Sequence, residues 1–257
     1  MIKGHGDDLY RHGPIRANFS SNVYNATERQ GLLDHLHKRL DSIGSYPEPE
    51  HSFLWKRLAD YHGIAADSIS VTSGATEAIY LIAQAFRGSS SAVVVPTFSE
   101  YADACRLHGH RVDFISKPEE ASSRYDMVWL CNPNNPTGRL WERKELCVLL
   151  EKAEERGTYV VMDESFLDFR EDGERYTSRH LTKEYPHLFV VQSMTKFFAL
   201  PGLRLGFGIA EPNLCRQLES GKDVWNVNFL AQAAGVAALS DTVYHEAARS
   251  FVRREKK

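Results

Sequence analysis

The feature that most constrains the fold is a regular alternation of short apolar segments with longer amphipathic ones, between residues 68 and 209. Residues 92–95, 127–131, 159–162 and 188–191 contain no charged side chain, which is typical of strands buried on both faces. The segments between them have helical periodicity, and the one at 142–156 ends at Gly157. The pattern predicts an α/β fold with three layers, α/β/α, around a mostly parallel sheet.

A second pattern lies directly after the predicted strands. Each of five different strands is followed within a few residues by a side chain suited to ligand binding or by a small turn residue. These residues are Gly74, Tyr101, Asn135, Asp163 and Lys196. Ligands of open parallel sheets bind beyond the carboxyl ends of the strands, so we expect the five residues to form one site.

Lys196 closes the sequence Ser193-Met194-Thr195-Lys196, which follows a buried strand and precedes Arg204 by eight residues. A further strand is predicted over residues 203–209, so Arg204 is expected within it. A second cation nearby makes protonation of a lysine amine less favourable and the amine a better nucleophile. The flanking hydroxyl side chains, together with Arg204, are suited to a phosphate. A nucleophilic lysine beside a phosphate site indicates pyridoxal phosphate. The alternative for the lysine and arginine alone is an ordinary solvated pair.

The other strand-end residues fit the ring of the same cofactor. Lys196 is predicted to bind the cofactor aldehyde as a Schiff base, and Asp163 to face the pyridine nitrogen and keep it protonated. Asn135 is predicted to donate to the ring hydroxyl, and Tyr101 to stack on the ring face. Taken singly, Asp163 could also cap a helix, Asn135 could form an Asx turn, and Tyr101 could be a core residue.

The phosphate of the cofactor is predicted to lie at the start of a helix. Gly74 opens a turn of small residues between a strand and a helix, which leaves backbone amides free to bind an anion. The amides of Ala75 and Thr76, together with Ser193 and Arg204, are therefore predicted to bind the phosphate.

Charge and composition exclude several classes of protein. The formal net charge of the 257 residues is −3, so no broad basic surface indicates nucleic-acid binding. No long uncharged apolar run predicts a membrane helix, and the amino terminus lacks the apolar core of a signal peptide. The four cysteines are dispersed without metal-ligand spacing. We expect a cytoplasmic protein that binds neither metal, nucleic acid nor membrane.

Four motifs in order resemble those of fold-type I pyridoxal-phosphate enzymes, in the histidinol-phosphate aminotransferase branch. They are Asn-Pro-Asn-Asn-Pro-Thr-Gly at residues 132–138, Asp-Glu-Ser-Phe at 163–166, Ser-Met-Thr-Lys at 193–196 and Gly-Leu-Arg-Leu-Gly at 202–206. The resemblance implies the large domain of this fold, with a seven-stranded, mainly parallel sheet. It also implies a homodimer in which Tyr46 reaches the phosphate of the partner subunit's cofactor.

Three further segments resemble threonine-phosphate decarboxylases of cobalamin biosynthesis within that branch. They are the rearranged opening at residues 4–7, the segment Phe19-Ser20-Ser21-Asn22, and Phe166, where the aminotransferases usually carry tyrosine. This resemblance implies that His5 and Asn22 contact a small phosphorylated amino acid substrate.

Three functions follow as hypotheses. The first is pyridoxal-phosphate-dependent decarboxylation of L-threonine O-3-phosphate to aminopropanol phosphate. The second is transamination of histidinol phosphate or a related amino acid by the same cofactor. The third is a truncated, non-catalytic binding module, because enzymes of this branch normally continue into a small carboxy-terminal domain that is largely missing here.

The same resemblance predicts that the chain is divided into three regions. Residues 1–50 are expected to form an amino-terminal arm and dimer segment, and residues 51–240 the pyridoxal-phosphate-binding large domain. Residues 241–257 are expected to begin the truncated carboxy-terminal domain.

Overall fold

The computed structural model describes residues 9–24, 29–121 and 124–256, and its centre is a seven-stranded sheet. The strands are β1 (Ile69–Thr72), β2 (Ser90–Val94), β3 (Arg111–Ile115), β4 (Met127–Cys131), β5 (Tyr159–Asp163), β6 (Leu188–Ser193) and β7 (Gly206–Ile209). Their order is β1-β7-β6-β5-β4-β2-β3, and only β7 runs antiparallel to its neighbours. The mostly parallel, seven-stranded sheet is the predicted one.

Helices cover both faces of this sheet in the described part of the chain. They are α1 (Gln30–His37), α2 (Ser52–His62), α3 (Ala75–Ala85), α4 (Glu100–Leu107), α5 (Arg143–Arg156), α6 (Pro212–Ser220), α7 (Phe229–Ser240) and α8 (Thr242–Glu255). One apolar cluster joins α2, α5, α7 and α8 to one face of the sheet. A second cluster joins α3, α4 and α6 to the other. The three-layer α/β/α prediction is confirmed.

Strand β4 shows why the central strands are apolar throughout. Met127, Trp129 and Cys131 pack into the cluster under α3, α4 and α6. Val128 and Leu130 alternate with them and pack into the opposite cluster. Successive side chains of a strand point to opposite faces, so a strand between two helical layers needs apolar residues at every position.

The helix ends follow local chemistry. Helix α5 begins with a capping box, in which the side chains of Glu142 and Glu145 accept from each other's backbone amides. It ends at Gly157, whose φ of 66° is left-handed.

The strand predicted over 203–209 is shorter than expected and begins at Gly206. Arg204 lies before it with a φ of 60°, which is incompatible with strand geometry.

The described part of the amino-terminal region, up to residue 50, lies largely on the surface, and its side chains are mostly exposed. At the other end of the chain, α8 packs on the rest of the fold through the buried side chains of Tyr244 and Ala248. The predicted division into three regions stays a prediction. Among the described helices, none combines the length and apolar character that crossing a bilayer requires.

Candidate active site

A cavity of about 290 Å³ lies at the carboxyl ends of the central strands, which is where ligands of such sheets bind. Its wall contains most of the residues predicted from the sequence. They are Asn22, Ala75, Thr76, Tyr101, Asn135, Asp163, Ser193, Lys196 and Arg204. The fold therefore brings together side chains that are up to 182 positions apart in the sequence, from Asn22 to Arg204.

One end of the cavity is shaped by close backbone approach. Gly74 has a φ of 85°, and a Cβ atom there would lie 2.6 Å from Nη2 of Arg204. Only glycine adopts this conformation readily and leaves room for the guanidinium group. Helix α3 starts at the next residue without a side-chain cap. The amides of Ala75 and Thr76 at the helix start thus face an end of the cavity that also contains a guanidinium group, a combination suited to an anion.

Hydroxyl groups complete the same end. The side-chain oxygens of Ser193 and Thr195 are 2.7 Å apart, and the Thr195 amide donates to Ser193 Oγ over 3.1 Å. Arg204 donates from Nη1 to the carbonyl oxygen of Pro201 over 3.1 Å, which orients its guanidinium group. Backbone amides, hydroxyl groups and a guanidinium group together fit the phosphate of pyridoxal phosphate.

Another part of the cavity wall holds a buried carboxylate. Asp163 is the last residue of β5 and is only 5% exposed. Its Oδ1 accepts from the Ser165 amide over 2.8 Å, and its Oδ2 accepts from the Tyr101 hydroxyl over 2.7 Å. Burial raises the pKa of Asp163, and these hydrogen bonds and the charge of Lys196 oppose that increase. A buried carboxylate of this kind fits the nitrogen of a pyridine ring.

The structure gives Tyr101 contacts that the prediction of stacking on the ligand did not include. Its side chain is 1% exposed, and its ring stacks on Trp129 with a centroid distance of 6.0 Å. The hydroxyl on Asp163 is a contact that the sequence did not reveal. Stacking of Tyr101 on the cofactor ring stays a prediction.

Glu164 is a second buried carboxylate that sequence reasoning did not single out. It follows Asp163 at the end of a strand and is held by donors on the other side of β5. It accepts from Thr177 Oγ1, from the amide and Oγ of Ser178, and from Gln192 Nε2. Two adjacent acids at a strand end were the available signal, since consecutive strand side chains point in opposite directions. Glu164 ties the loop at residues 177–178 to the strand that carries Asp163.

Lys196 lies three residues beyond the end of β6 and lines the cavity. Its backbone oxygen accepts from the Tyr24 amide over 3.2 Å, which joins the lysine loop to the amino-terminal segment. Its positive charge opposes the burial that raises the pKa of Asp163. The amine and the carboxylate thus belong to the same electrostatic site.

A second cavity of about 540 Å³ adjoins the first. The two share Asn22, Val23, Asn135 and Phe166 on their walls. The second cavity also contains Arg170 and Lys256. The combined space extends from Lys196 past Phe166, and it offers room for a substrate beside the cofactor.

Tyr46 is a predicted site residue that does not line this cavity. Tyr46 is 79% exposed, and its ring stacks on Trp225 with centroids 4.5 Å apart. Its predicted reach to the partner subunit stays a prediction. His5, also predicted to contact the substrate, lies outside the described residues, as does the whole opening motif at residues 4–7. Within the described ranges, no cluster of three or more His, Cys, Asp or Glu side chains could hold a metal ion.

The fold and this site define a class of enzyme. The family model of aminotransferase class I and II matches residues 15–256, and the chain belongs to that family. Enzymes of this family depend on pyridoxal phosphate, which confirms the cofactor and the enzyme class predicted from the sequence. The residues present fit that cofactor at both ends of the cavity.

Several known proteins are similar to this chain over most of its length. A putative threonine-phosphate decarboxylase of Caldanaerobacter subterraneus subsp. tengcongensis is 37% identical over 98% of this chain and 71% of its own length. A histidinol-phosphate aminotransferase of Symbiobacterium thermophilum is 32% identical over 97% of this chain and 71% of its own length. The crystal structure of L-threonine-O-3-phosphate decarboxylase from Porphyromonas gingivalis matches with a TM-score of 0.82 and 36% identity, over 88% of this chain and 73% of that one.

Proposed function

We propose that this chain catalyses pyridoxal-phosphate-dependent decarboxylation of L-threonine O-3-phosphate to aminopropanol phosphate, a reaction of cobalamin biosynthesis. The observation that carries the proposal is Phe166, which lines both cavities three residues after Asp163 and presents no hydroxyl group there. The similarity to threonine-phosphate decarboxylases supports it.

The cofactor would be held at four points. Arg204, Ser193 and the amides of Ala75 and Thr76 would bind its phosphate, and Asp163 would bind its ring nitrogen. Asn135, on the shared wall of the two cavities, would donate to its ring hydroxyl. Lys196 would attach to its aldehyde carbon. When bound, the group supplies an electron sink for bonds to the α-carbon of an amino acid.

Different residues of the chain would serve different parts of the reaction. The negative charge of Asp163 favours the protonated ring nitrogen, because a buried carboxylate lowers the free energy of a nearby cation. With the substrate amine in place of Lys196, the lysine would be free for acid–base work. Its amine would hold a proton and donate it to the carbon that has lost carbon dioxide.

The substrate site is proposed to lie in the adjoining cavity. Asn22, Asn135 and Phe166 belong to both walls, so a substrate attached near Lys196 would extend past them. Asn22 is proposed to contact the phosphorylated amino acid, in line with its place in the resemblance. His5 is retained as a second proposed contact.

A homodimer is part of the proposal. Tyr46, Trp225 and Phe53 expose large aromatic surfaces, and exposed aromatic surface of this kind marks protein interfaces. We propose that a second copy covers them and that Tyr46 reaches the partner's phosphate. A cytoplasmic location is proposed with it. A sedimentation mass equal to one chain would contradict the dimer.

The second candidate function is transamination of histidinol phosphate or a related amino acid. It is favoured by the 32% identity to a histidinol-phosphate aminotransferase. Incubation with L-threonine O-3-phosphate should release carbon dioxide and aminopropanol phosphate if the first proposal holds. Conversion of the cofactor to pyridoxamine phosphate with formation of a keto acid would favour the second.

Replacing the lysine tests the cofactor attachment itself. In Lys196→Ala we expect loss of the absorbance band of covalently bound cofactor and a fall in turnover of at least about 10³-fold, because nucleophile and proton donor disappear together. Lys183→Ala, at an exposed lysine outside the cavity, is the matched control. Cofactor binding without any turnover in the unaltered protein would support the non-catalytic module.

A further inference from the structure

Both oxygens of the buried Asp163 carboxylate already hold a donor. The Ser165 amide donates to Oδ1, and the Tyr101 hydroxyl donates to Oδ2. The first donor is a backbone group two residues away and is fixed by the turn. The second comes from helix α4, 62 positions earlier in the chain, so only the tertiary structure brings it to the carboxylate.

The Tyr101 hydroxyl has little freedom to point elsewhere. Its ring stacks on Trp129 at 6.0 Å and contacts Phe98 edge-on at 5.8 Å. The side chain is almost fully buried. Aromatic packing on two sides therefore fixes the phenol before any ligand binds, and the hydrogen bond of 2.7 Å is pre-formed.

The groups around Asp163 keep their roles across the physiological range. Burial and the nearby carboxylate raise the pKa of Tyr101 well above its usual value, so the phenol stays a donor. Burial raises the pKa of Cys131 to about 12, so this thiol beside the site stays neutral. The positive charge of Lys196 favours the ionised form of Asp163.

We propose that Tyr101 is a positioning residue whose hydroxyl keeps Asp163 ionised and holds its Oδ2 in place for the pyridine nitrogen. A carboxylate oxygen has two lone pairs, so Oδ2 can accept from the phenol and from the protonated ring together. The proposal rests on the proposed assignment of Asp163 to the ring nitrogen. It adds that the phenol acts through the carboxylate and not only through its ring face.

The physical reason is the cost of an ionised carboxylate away from water. A donor removed from a buried charge leaves that charge less stabilised, and the neutral acid is then favoured. A neutral Asp163 no longer stabilises a positive ring nitrogen. The cofactor would then withdraw electrons less strongly, although every group proposed to bind its phosphate would remain.

Tyr101→Phe is the direct test, because it retains the ring on Trp129 and removes only the hydroxyl. We expect the dissociation constant for pyridoxal phosphate to rise about 10-fold, in line with the loss of a hydrogen bond to a charged group. The pH midpoint of the bound cofactor's absorbance change should shift. In turnover, kcat should fall while KM changes little.

The ligand-free protein gives an independent readout. Without the phenol the pKa of folded Asp163 rises further above its unfolded value, so the folded variant retains a proton that the unfolded chain has lost. The stability of Tyr101→Phe relative to the unaltered protein should therefore decrease as pH rises through this range. Denaturant unfolding at several pH values measures it.

Tyr80→Phe is the matched control. Tyr80 also donates to a carboxylate, that of Glu100, over 2.8 Å, and it does not line either cavity. Its removal should leave cofactor affinity and the absorbance midpoint unchanged. Fluorotyrosine at position 101, a more acidic donor with the same packing, should shift the midpoint opposite to phenylalanine and covers the case in which Tyr101→Phe fails to fold.

Unchanged affinity and an unchanged absorbance midpoint in a folded Tyr101→Phe protein would overturn the inference. So would a fluorotyrosine protein with an unshifted midpoint. Failure of the unaltered protein to bind pyridoxal phosphate would instead overturn the proposed function, so the two failures are distinguishable.

Discussion

The two ends of the proposed cofactor cavity, a ring end at Asp163 and a phosphate end at Arg204, are built in different ways. At the ring end, side chains from β5, α4 and the loop after β6 define the chemistry, and Asp163 depends on the hydrogen bonds from Tyr101 and Ser165. At the phosphate end, backbone amides and two glycines define the shape, and the guanidinium of Arg204 lies against Gly74.

The difference has a physical origin. A phosphate carries full charge in every state of the reaction, so a rigid anion site made largely of backbone is sufficient. The ring nitrogen has to be held in one protonation state, and that requires a buried ionisable group with tuned surroundings. Mutations at the ring end should therefore change chemistry, and mutations at the phosphate end should change binding and folding.

The largest effect is expected from Asp163→Asn. The amide keeps the shape but removes the charge, so kcat/KM should fall by about 10³-fold, the size seen when a group that stabilises reaction charge is removed. Comparison with Lys183→Ala in the same assay checks it. Activity within about 3-fold of the unaltered protein would contradict the role given to Asp163.

The effect of Asp163→Asn on the stability of the fold should be opposite in sign to its effect on activity. Burial raises the pKa of Asp163, so the folded protein retains a proton that the unfolded chain releases, and stability falls as pH rises through that range. Asp163→Asn does not titrate. Its stability relative to the unaltered protein should therefore increase from about pH 4 upward, which chemical denaturation can measure.

A smaller effect, on folding and not on chemistry, is expected from Gly206→Ala. A Cβ there would lie 2.6 Å from the Gly74 carbonyl carbon and 2.9 Å from the Gln192 oxygen, all backbone. The free energy of unfolding should fall by about 3 kcal/mol, the upper range for overpacking. Gly208→Ala, in the same strand, meets only a Leu218 methyl group at 3.8 Å. A decrease in the free energy of unfolding no larger than that of Gly208→Ala would show that the phosphate end is not rigid.

The smallest effect is expected from Arg204→Lys. A lysine retains the charge but cannot present the planar donor fork to phosphate. The dissociation constant for pyridoxal phosphate should rise about 10-fold, with the absorbance midpoint of the bound cofactor unchanged. A shifted midpoint would show that the two ends are not independent. Equilibrium titration with the cofactor measures both quantities.

The strand ends were the most predictable part of the molecule. The apolar runs before Asn135, Asp163 and Lys196 predicted buried strands, and a parallel sheet places their carboxyl ends at one edge. The prediction for Arg204 was less accurate. It was expected within a strand but adopts a left-handed φ of 60° before β7, where it lies over Gly74. A single residue's φ depends on what it packs against, which the pattern does not contain.

Contacts between distant side chains were not predictable. Nothing in the sequence pairs Tyr101 with Asp163, or Glu164 with Thr177 and Ser178. The stack of Tyr46 on Trp225 is of the same kind. Such contacts depend on the angle between elements and on side-chain rotamers, which no local pattern records.

The sequence by itself determined the fold class, the cofactor and most of the residues that line the cavity at the strand ends, because periodicity and strand-end chemistry are local properties. The tertiary structure alone decided which donor stabilises which buried charge. The free energy of an ionised group away from water depends on atoms within a few ångströms of it. In this protein those atoms come from Tyr101, Ser165 and Lys196, which are distributed over more than ninety positions of the chain.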